Sequence, residues 1–313
     1  MSENSIKEPS GVLIVNKPTG ITSHDVVGAV RRLYCTKRVG HTGTLDPMAS
    51  GVLVVLVGRA AKAAEYISSA SKKYRAVMRL GITTDTEDTT GETITFTENI
   101  PDAERVKKIA SQFVGEIMQI PPMYSALKVG GKKLCDLARQ GISVERQPRP
   151  ITVYSLAASE TDAASDYVLD VHCSGGTYIR TLCADIGAGL GCGGAMAALT
   201  RTEACGFDIA EAYDLEALKE KSYEELVSIL LPVESLFCDL ESVTLPEFYE
   251  KLFRSGCEIY QKKIFSSYEV GKRLRVCGKQ GFFALGEIIA PEKCKNKDLG
   301  SAIKSIKLFD LGD

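Results

Sequence analysis

The chain has 313 residues, 44% of them hydrophobic and 25% charged, with a formal net charge of −2. These proportions are those of an ordinary globular protein, long enough for one large domain and a small appended one. Without a run of about 18 apolar residues it carries no expected transmembrane helix, and residues 1–9 are polar, lacking the apolar centre of a signal peptide.

In chain order, residues 11–16 (GVLIVN) form a short apolar strand, followed by the turn Lys17-Pro18-Thr19-Gly20. Thr22 and Asp25 have the spacing of a capping box, and Val26, Val27, Val30 and Leu33 then recur on one helical face. Arg31, Arg32, Lys37 and Arg38 cluster near the end of that helix. Residues 40–50 form a loop punctuated by Gly40, Gly43 and Pro47, and residues 51–57 (GVLVVLV) a strand apolar enough to be buried on both faces. Residues 59–67 predict a short Ala-rich helix. Over 72–80 the alternation is clean, with Tyr74, Ala76, Met78 and Leu80 on one face and Lys73, Arg75 and Arg79 on the other, predicting a half-buried strand with a basic side.

Residues 83–91 read as an acidic turn and 102–113 as a helix. Pro121 and Pro122 interrupt the pattern, and Gly130-Gly131-Lys132-Lys133 has the composition of a hairpin tip. Strands are expected at 151–159 and 167–173 and a helix at 177–190. From about residue 242 the pattern changes to short β-type runs at 274–276, 282–289 and 306–309, giving a small β-rich C-terminal domain joined near 232–245. The larger part mixes helices with hairpin-like strands, which predicts an α+β fold around a mixed, mainly antiparallel sheet.

The charge is unevenly spread. Residues 1–80 hold 12 Lys and Arg against 5 Asp and Glu, whereas residues 81–120 hold 3 against 8. Such asymmetry fits a protein with one basic working face, although ordinary surface variation gives the same count. The ten cysteines are scattered from Cys35 to Cys294 with no CxxC pair, and there are only three histidines. Reduced, mostly buried thiols in the cytoplasm are therefore expected, without a zinc site.

The most informative segment is Gly40-His41-Thr42-Gly43-Thr44-Leu45-Asp46-Pro47-Met48-Ala49-Ser50-Gly51. An Asp before Pro is a common turn initiator, but on a Gly-rich loop just before a buried strand it is also held firmly enough to be aimed into a cleft. GxGxxG at 189–194 follows a helical stretch and not a strand, so it lacks a phosphate cradle and reads as a tight turn. Ser23-His24-Asp25 cannot form a triad, because adjacent side chains do not converge.

The loop around Asp46 resembles the TruB family of tRNA pseudouridine synthases, which modify uridine 55 in the T loop. Residues 11–18 (GVLIVNKP), Lys73-Tyr74-Arg75, residues 122–128 (PMYSALK) and residues 176–181 (GTYIRT) stand in the family's usual order, so the resemblance covers roughly 11–215. It implies a pseudouridine synthase fold over residues 1–240, with an RNA-clamping insert near 120–150 that carries Lys132 and Lys133. The 241–313 region has the size of a PUA-type domain, but no sharp motif.

By the same resemblance, Asp46 matches the nucleophile that detaches uracil from its ribose. His41 matches the residue wedged into the T loop, and Tyr74 the aromatic stacked on the flipped base. Tyr178 and Arg180 match the pair lining the pocket, Leu199 an apolar wall contact and Lys17 a basic residue beneath. The implied partner is tRNA through its T arm, with no cofactor, no metal, no membrane and no protein partner, and the chain acting as a monomer. Isomerisation needs neither a redox step nor activated water, in keeping with the lack of nucleotide and metal motifs. Three other readings compete: a non-catalytic RNA-binding or RNA-folding protein, a hydrolase with paired carboxylates, and a guide-RNA-directed member of the same superfamily.

Overall fold

The computed structural model describes residues 8–67 and 70–309, so the polar start expected over residues 1–9 lies mostly outside the described residues. Strand β1 (Gly11–Lys17) leads into helix α1 (Ser23–Leu33). The predicted capping box is formed: Asp25 N–H donates to Thr22 Oγ1 at 3.1 Å, and Thr22 N–H to the Asp25 carboxylate at 2.8 Å. β2 (Val39–His41) takes the first residues of the expected loop into the sheet, and β3 (Ser50–Val57) follows.

The predicted Ala-rich helix is instead a 3-10 stretch, Gly58–Ala63, ending in one α turn, α2 (Ala64–Ile67). Its small side chains, Ala60 and Ala63, lie flat against Val12, Val54 and Leu56, a close approach that a regular helix with larger residues would prevent.

β4 (Lys72–Leu80) is followed by a hairpin of β5 (Ile82–Thr84) and β6 (Thr93–Phe96). Helix α3 (Ala103–Ser111) is capped by Asp102 and leads to β7 (Gly115–Gln119), a strand the sequence pattern does not announce. The Gly130-Gly131 tip joins β8 (Lys128–Val129) to β9 (Lys132–Lys133), just before α4 (Leu134–Ala138). β10 (Arg149–Glu160) and β11 (Asp166–Cys173) are longer than the runs that predicted them. Helix α5 (Ile179–Leu190) ends on Gly191 at φ 80°, so the glycine-rich stretch is a C-cap. Then come β12 (Gly194–Ala204), β13 (Phe207–Asp208), β14 (Tyr213–Asp214), α6 (Leu215–Lys219) and α7 (Tyr223–Ser228).

The main sheet runs β14-β1-β3-β12-β4-β11-β10-β7, with β2 on β3 and β13 on β12. Only β1/β14 and β3/β12 pair in parallel, so it is mixed and mainly antiparallel. β12 holds its centre, yet its sequence, GAMAALTRTEA, has neither alternation nor β-branched enrichment, and nothing in it signals a strand. β3 is apolar throughout because both of its faces are covered. Leu53, Val55 and Val57 pack against α1, and Val52, Val54 and Leu56 against the 3-10 segment and the C-terminal sheet.

The outward face of β4 is not a basic surface. Lys73 pairs with Glu203 (2.6 Å), Arg75 with Asp170 (2.8 Å) and Arg79 with Asp166 (2.7 Å), so its charge is matched by β11 and β12. Nor are the cysteines mostly buried: each is a free thiol, and Cys173, Cys183, Cys192 and Cys294 are the buried ones. No helix of the described residues is long and apolar enough to cross a membrane.

The C-terminal sheet comprises β15 (Ser242–Thr244), β16 (Ile259–Tyr260), β17 (Arg273–Gly278), β18 (Gly281–Ile289) and β19 (Ala302–Leu308), in the order β15-β17-β18-β19-β16. Helix α8 (Glu247–Arg254) packs on it through Phe253. The sheet shares a core with the main sheet's side: Phe309 stacks on Phe282 at 5.6 Å, lies 5.7 Å from Phe237 and meets the edge of Tyr66 at 6.3 Å. Truncating a buried Phe costs about 3–5 kcal/mol. Phe309→Ala is therefore expected to lower the global unfolding free energy by about that amount, read by urea denaturation. A change confined to the C-terminal sheet would mean that the two sheets do not unfold together.

Candidate active site

Asp46 lies in the turn between β2 and β3, and that turn is held from every side. Ser23, the first residue of α1, donates its hydroxyl to the Leu45 carbonyl (3.0 Å) and accepts the Leu45 N–H (2.8 Å). Gly20 N–H donates to the Pro47 carbonyl at 2.8 Å, and the Ala49 N–H closes a turn onto the Asp46 carbonyl at 3.0 Å. Beyond the turn, Ser50 and Thr200 share a hydroxyl hydrogen bond at 3.0 Å. The backbone at Asp46 is thus pre-set by β1, α1 and β12, and its side chain remains 36% exposed.

Across from it stands Arg180, in the first turn of α5, with a side chain only 6% exposed. Its Nε lies 2.9 Å from Asp46 Oδ2 and its Nη2 donates to Oδ1 at 3.4 Å, a two-point grip on the carboxylate. Its other N–H groups donate to the carbonyls of Thr86 (3.0 Å) and Tyr124 (2.7 Å), and Asp88 Oδ2 lies 3.8 Å away. The guanidinium is therefore locked in place from the far side, and the carboxylate it presents stays partly exposed.

The residues expected as an acidic surface turn do the locking. Glu87 sits at φ 64°, and its carboxylate accepts from the Thr181 hydroxyl beneath Arg180. Burial pushes the Glu87 carboxyl up, against the pull of Thr181 and Arg180. Asp88 is buried and accepts from Thr86 Oγ1 and the Thr90 N–H, at 2.8 and 3.0 Å. The segment is docked on β12 through Met196, which exchanges hydrogen bonds with Glu87 and Thr89.

Tyr74 and Leu199, from adjacent strands, belong to the same apolar core cluster as Leu45 and Ala49 of the Asp46 turn. Burial pushes the Tyr74 phenol up, with the Arg201 charge and hydrogen bond opposing. Tyr178 is the N-cap of α5, its backbone clasped by Gln119, which accepts the Tyr178 N–H (2.8 Å) and donates to its carbonyl (3.0 Å). Its phenol is raised by burial and feels the charges of Arg180 and Asp46.

Lys17 is fully buried below the loop and donates to the carbonyls of Pro18 (2.8 Å), Ile21 (2.7 Å) and Pro47 (3.5 Å). Burial pushes its ammonium down from 10.5 to about 8, with the Asp46 charge opposing. His41, on β2, stands apart: among the described residues it forms no hydrogen bond or ion pair with Asp46 or Arg180, and its Nδ1 is buried without a partner. Burial, with Arg201 and His24, holds its imidazole below the usual value.

The Lys17 shift has a definite sign. Its folded pKa lies below the unfolded one, so between about pH 8 and 10.5 the unfolded chain binds more protons and stability rises with pH. Relative to Lys17→Met, the parent chain is expected to gain about 3 kcal/mol across that window and nothing below pH 7. Parallel stability–pH curves for the two would show that Lys17 is not depressed.

The chain matches two family models, the N-terminal domain of TruB family pseudouridylate synthase over residues 31–179 and the C-terminal domain of tRNA pseudouridylate synthase B over 180–238. It is 41% identical over 279 residues to the tRNA pseudouridine synthase B of Alkaliphilus oremlandii, covering 88% of this chain and 92% of that protein. The chain belongs to the TruB family of pseudouridylate synthases. A second TruB relative, from Syntrophotalea carbinolica, is 44% identical over 245 residues, 78% of this chain and 80% of its own.

The fold is also that of a chain in the crystal structure of a Cbf5-Nop10-Gar1 complex, with a TM-score of 0.69 over 97% of this chain and 86% of that one, at 23% identity. This TruB protein is accordingly an isomerase, with an α+β pseudouridine synthase fold. Beyond the residues expected from the sequence, the site draws on Thr86, Glu87, Asp88, Gln119 and Arg201. Of these, only the Glu-Asp pair inside a Thr-rich turn carried a signal, since two acids flanked by hydroxyls have the means to bind each other's backbone.

Proposed function

We propose that this protein converts uridine to pseudouridine in tRNA, at position 55 of the T loop, with Asp46 as the nucleophile. The observation that carries the reading is a half-open carboxylate on a backbone fixed from several sides, gripped at two points by a buried arginine, in a turn that shares its apolar cluster with Tyr74 and Leu199. A uridine enters such a site only after leaving its stack, and an aromatic wall repays that with about 1–3 kcal/mol per base. Asp46 then detaches uracil from the ribose. Its carboxylate forms a covalent bond to the nucleotide, the N1–C1′ bond breaks, the ring turns, C5 bonds to C1′ as the bond to Asp46 breaks and the carboxylate is regained, N1 takes up a proton and the proton on C5 leaves.

In this reading Arg180 keeps Asp46 aimed and Tyr178 closes the pocket. Tyr74 stacks on the base, and Leu199 and Lys17 complete the wall and floor. His41, at the entrance of the loop, wedges into the T loop. The hairpin at Lys128–Lys133 is exposed throughout and supports a clamping role for the 120–150 insert, while the five-stranded sheet from Ser242 onward supports a PUA-like domain on the rest of the tRNA.

The test is release of tritium from C5-tritiated uridine in unmodified tRNA, with no cofactor added. About one equivalent per tRNA, mapped to position 55, is expected. Binding of the same tRNA without release would support a folding or binding protein instead, and release from several positions would overturn the T-loop assignment.

A further inference from the structure

Among the described residues Arg201 is the largest fully buried side chain, 1% exposed, and it forms no ion pair with a carboxylate there. A buried guanidinium is costly unless its N–H groups find acceptors. Two carbonyls that it finds bracket the Asp46 turn, and it also hydrogen-bonds the Tyr74 phenol. Nε donates to the Val52 carbonyl at 2.7 Å, after the turn, and Nη2 to the Gly43 carbonyl at 3.1 Å, before it.

The backbone of the same residue makes a second lock. Arg201 lies in parallel register with Gly51, which adopts φ 102°, and a Cβ on Gly51 would come within 2.2 Å of the Arg201 carbonyl oxygen. On its other edge Arg201 pairs with Tyr74, and β12 shifts register immediately afterwards, between Arg201 and Glu203. The charge of Arg201 is felt at Lys17, His41, Lys72 and Tyr74.

We propose that Arg201 is a positioning residue that sets the reach of Asp46 and ties its turn to Tyr74, so that its loss slows the chemical step and leaves RNA binding intact. The inference rests on the reading of Asp46 as nucleophile. Among the described residues Arg201 forms no ion pair with the Asp46 carboxylate; it acts through the carbonyls at the two ends of the turn and through its hydrogen bond to Tyr74. A misplacement of about 1 Å in such a turn costs about 100-fold in rate.

The experiment uses the full chain and an unmodified T-arm hairpin RNA, measuring single-turnover rate and Kd for Arg201→Met, Arg201→Lys and Asp46→Asn, at a temperature where circular dichroism shows each variant folded. Arg201→Met is expected to react about 100-fold more slowly with Kd within about threefold of the parent. Arg201→Lys keeps the charge but reaches one carbonyl only, and is expected to regain about tenfold of that loss. A folded Arg201→Met at parental rate overturns the proposal, and so does a loss of rate and affinity in parallel, which is the mark of a purely structural residue. If Arg201→Met does not fold, Arg201→Lys decides: about tenfold slower with parental Kd supports the proposal, and parental rate overturns it. An active Asp46→Asn removes the nucleophile reading itself. An inactive Asp46→Asn beside full-speed Arg201 variants overturns only the positioning role.

Discussion

Asp46→Asn is expected to reduce pseudouridine formation by about 10,000-fold or more while tRNA affinity stays close to the parent's. The substitution preserves shape, and the amide oxygen still accepts from Arg180. What is lost is the charged oxygen that attacks. Arg180 is not left with an unpaired buried charge, because Asp88 remains 3.8 Å away and the carbonyls of Thr86 and Tyr124 keep their hydrogen bonds. The variant should therefore fold and bind, and single-turnover kinetics with a filter-binding isotherm separate the two effects. A turnover within tenfold of the parent would remove Asp46 from the role of nucleophile.

Arg180→Met is expected to be damaging in two ways at once. The guanidinium is the common donor to Asp46, Thr86 and Tyr124, and the nearby cation for Asp88, which is itself buried. Removing it leaves the buried Asp88 without its nearby cation, and breaking a buried pair in this manner costs about 3–5 kcal/mol. Asp46 also loses both points of its grip, so turnover should fall by about 1,000-fold even where the variant is folded. Thermal unfolding and single-turnover rates are the measurements. An unchanged melting temperature would mean that the acceptors around Arg180 find other partners, and the account of this network would be wrong.

The local signals that proved legible were those in which neighbouring residues decide the structure. The Thr22/Asp25 capping box, the Lys72–Leu80 alternation and the apolar run of β3 each carry their instructions within a few residues. The central strand β12 was not legible, because Gly194–Ala204 becomes a strand only by lying between β3 and β4, a tertiary demand that overrides its composition. The same holds for Arg201, whose acceptors stand near residues 43 and 52, and for Glu87 and Asp88, which read as surface acids until α5 packs over them. The supposed basic side of β4 failed for a related reason: its counter-charges come from β11 and β12. At the site itself, the Asp46 loop and its pairing with Arg180 were legible in the sequence, whereas Thr86, Glu87, Asp88 and Arg201, which hold the two in place, were not.

The wide separation of these partners has a consequence for synthesis. Asp46 and Arg180 are 134 residues apart, Ser50 and Thr200 are 150, and the strand between β3 and β4 is made last of the three. A chain emerging from the ribosome at about 5–20 residues per second holds the Asp46 carboxylate for several seconds before Arg180 exists. Through that interval β3 and β4 also lack the strand that lies between them in the finished sheet, so the pair of Asp46 and Arg180 and the sheet beneath it are completed late in synthesis.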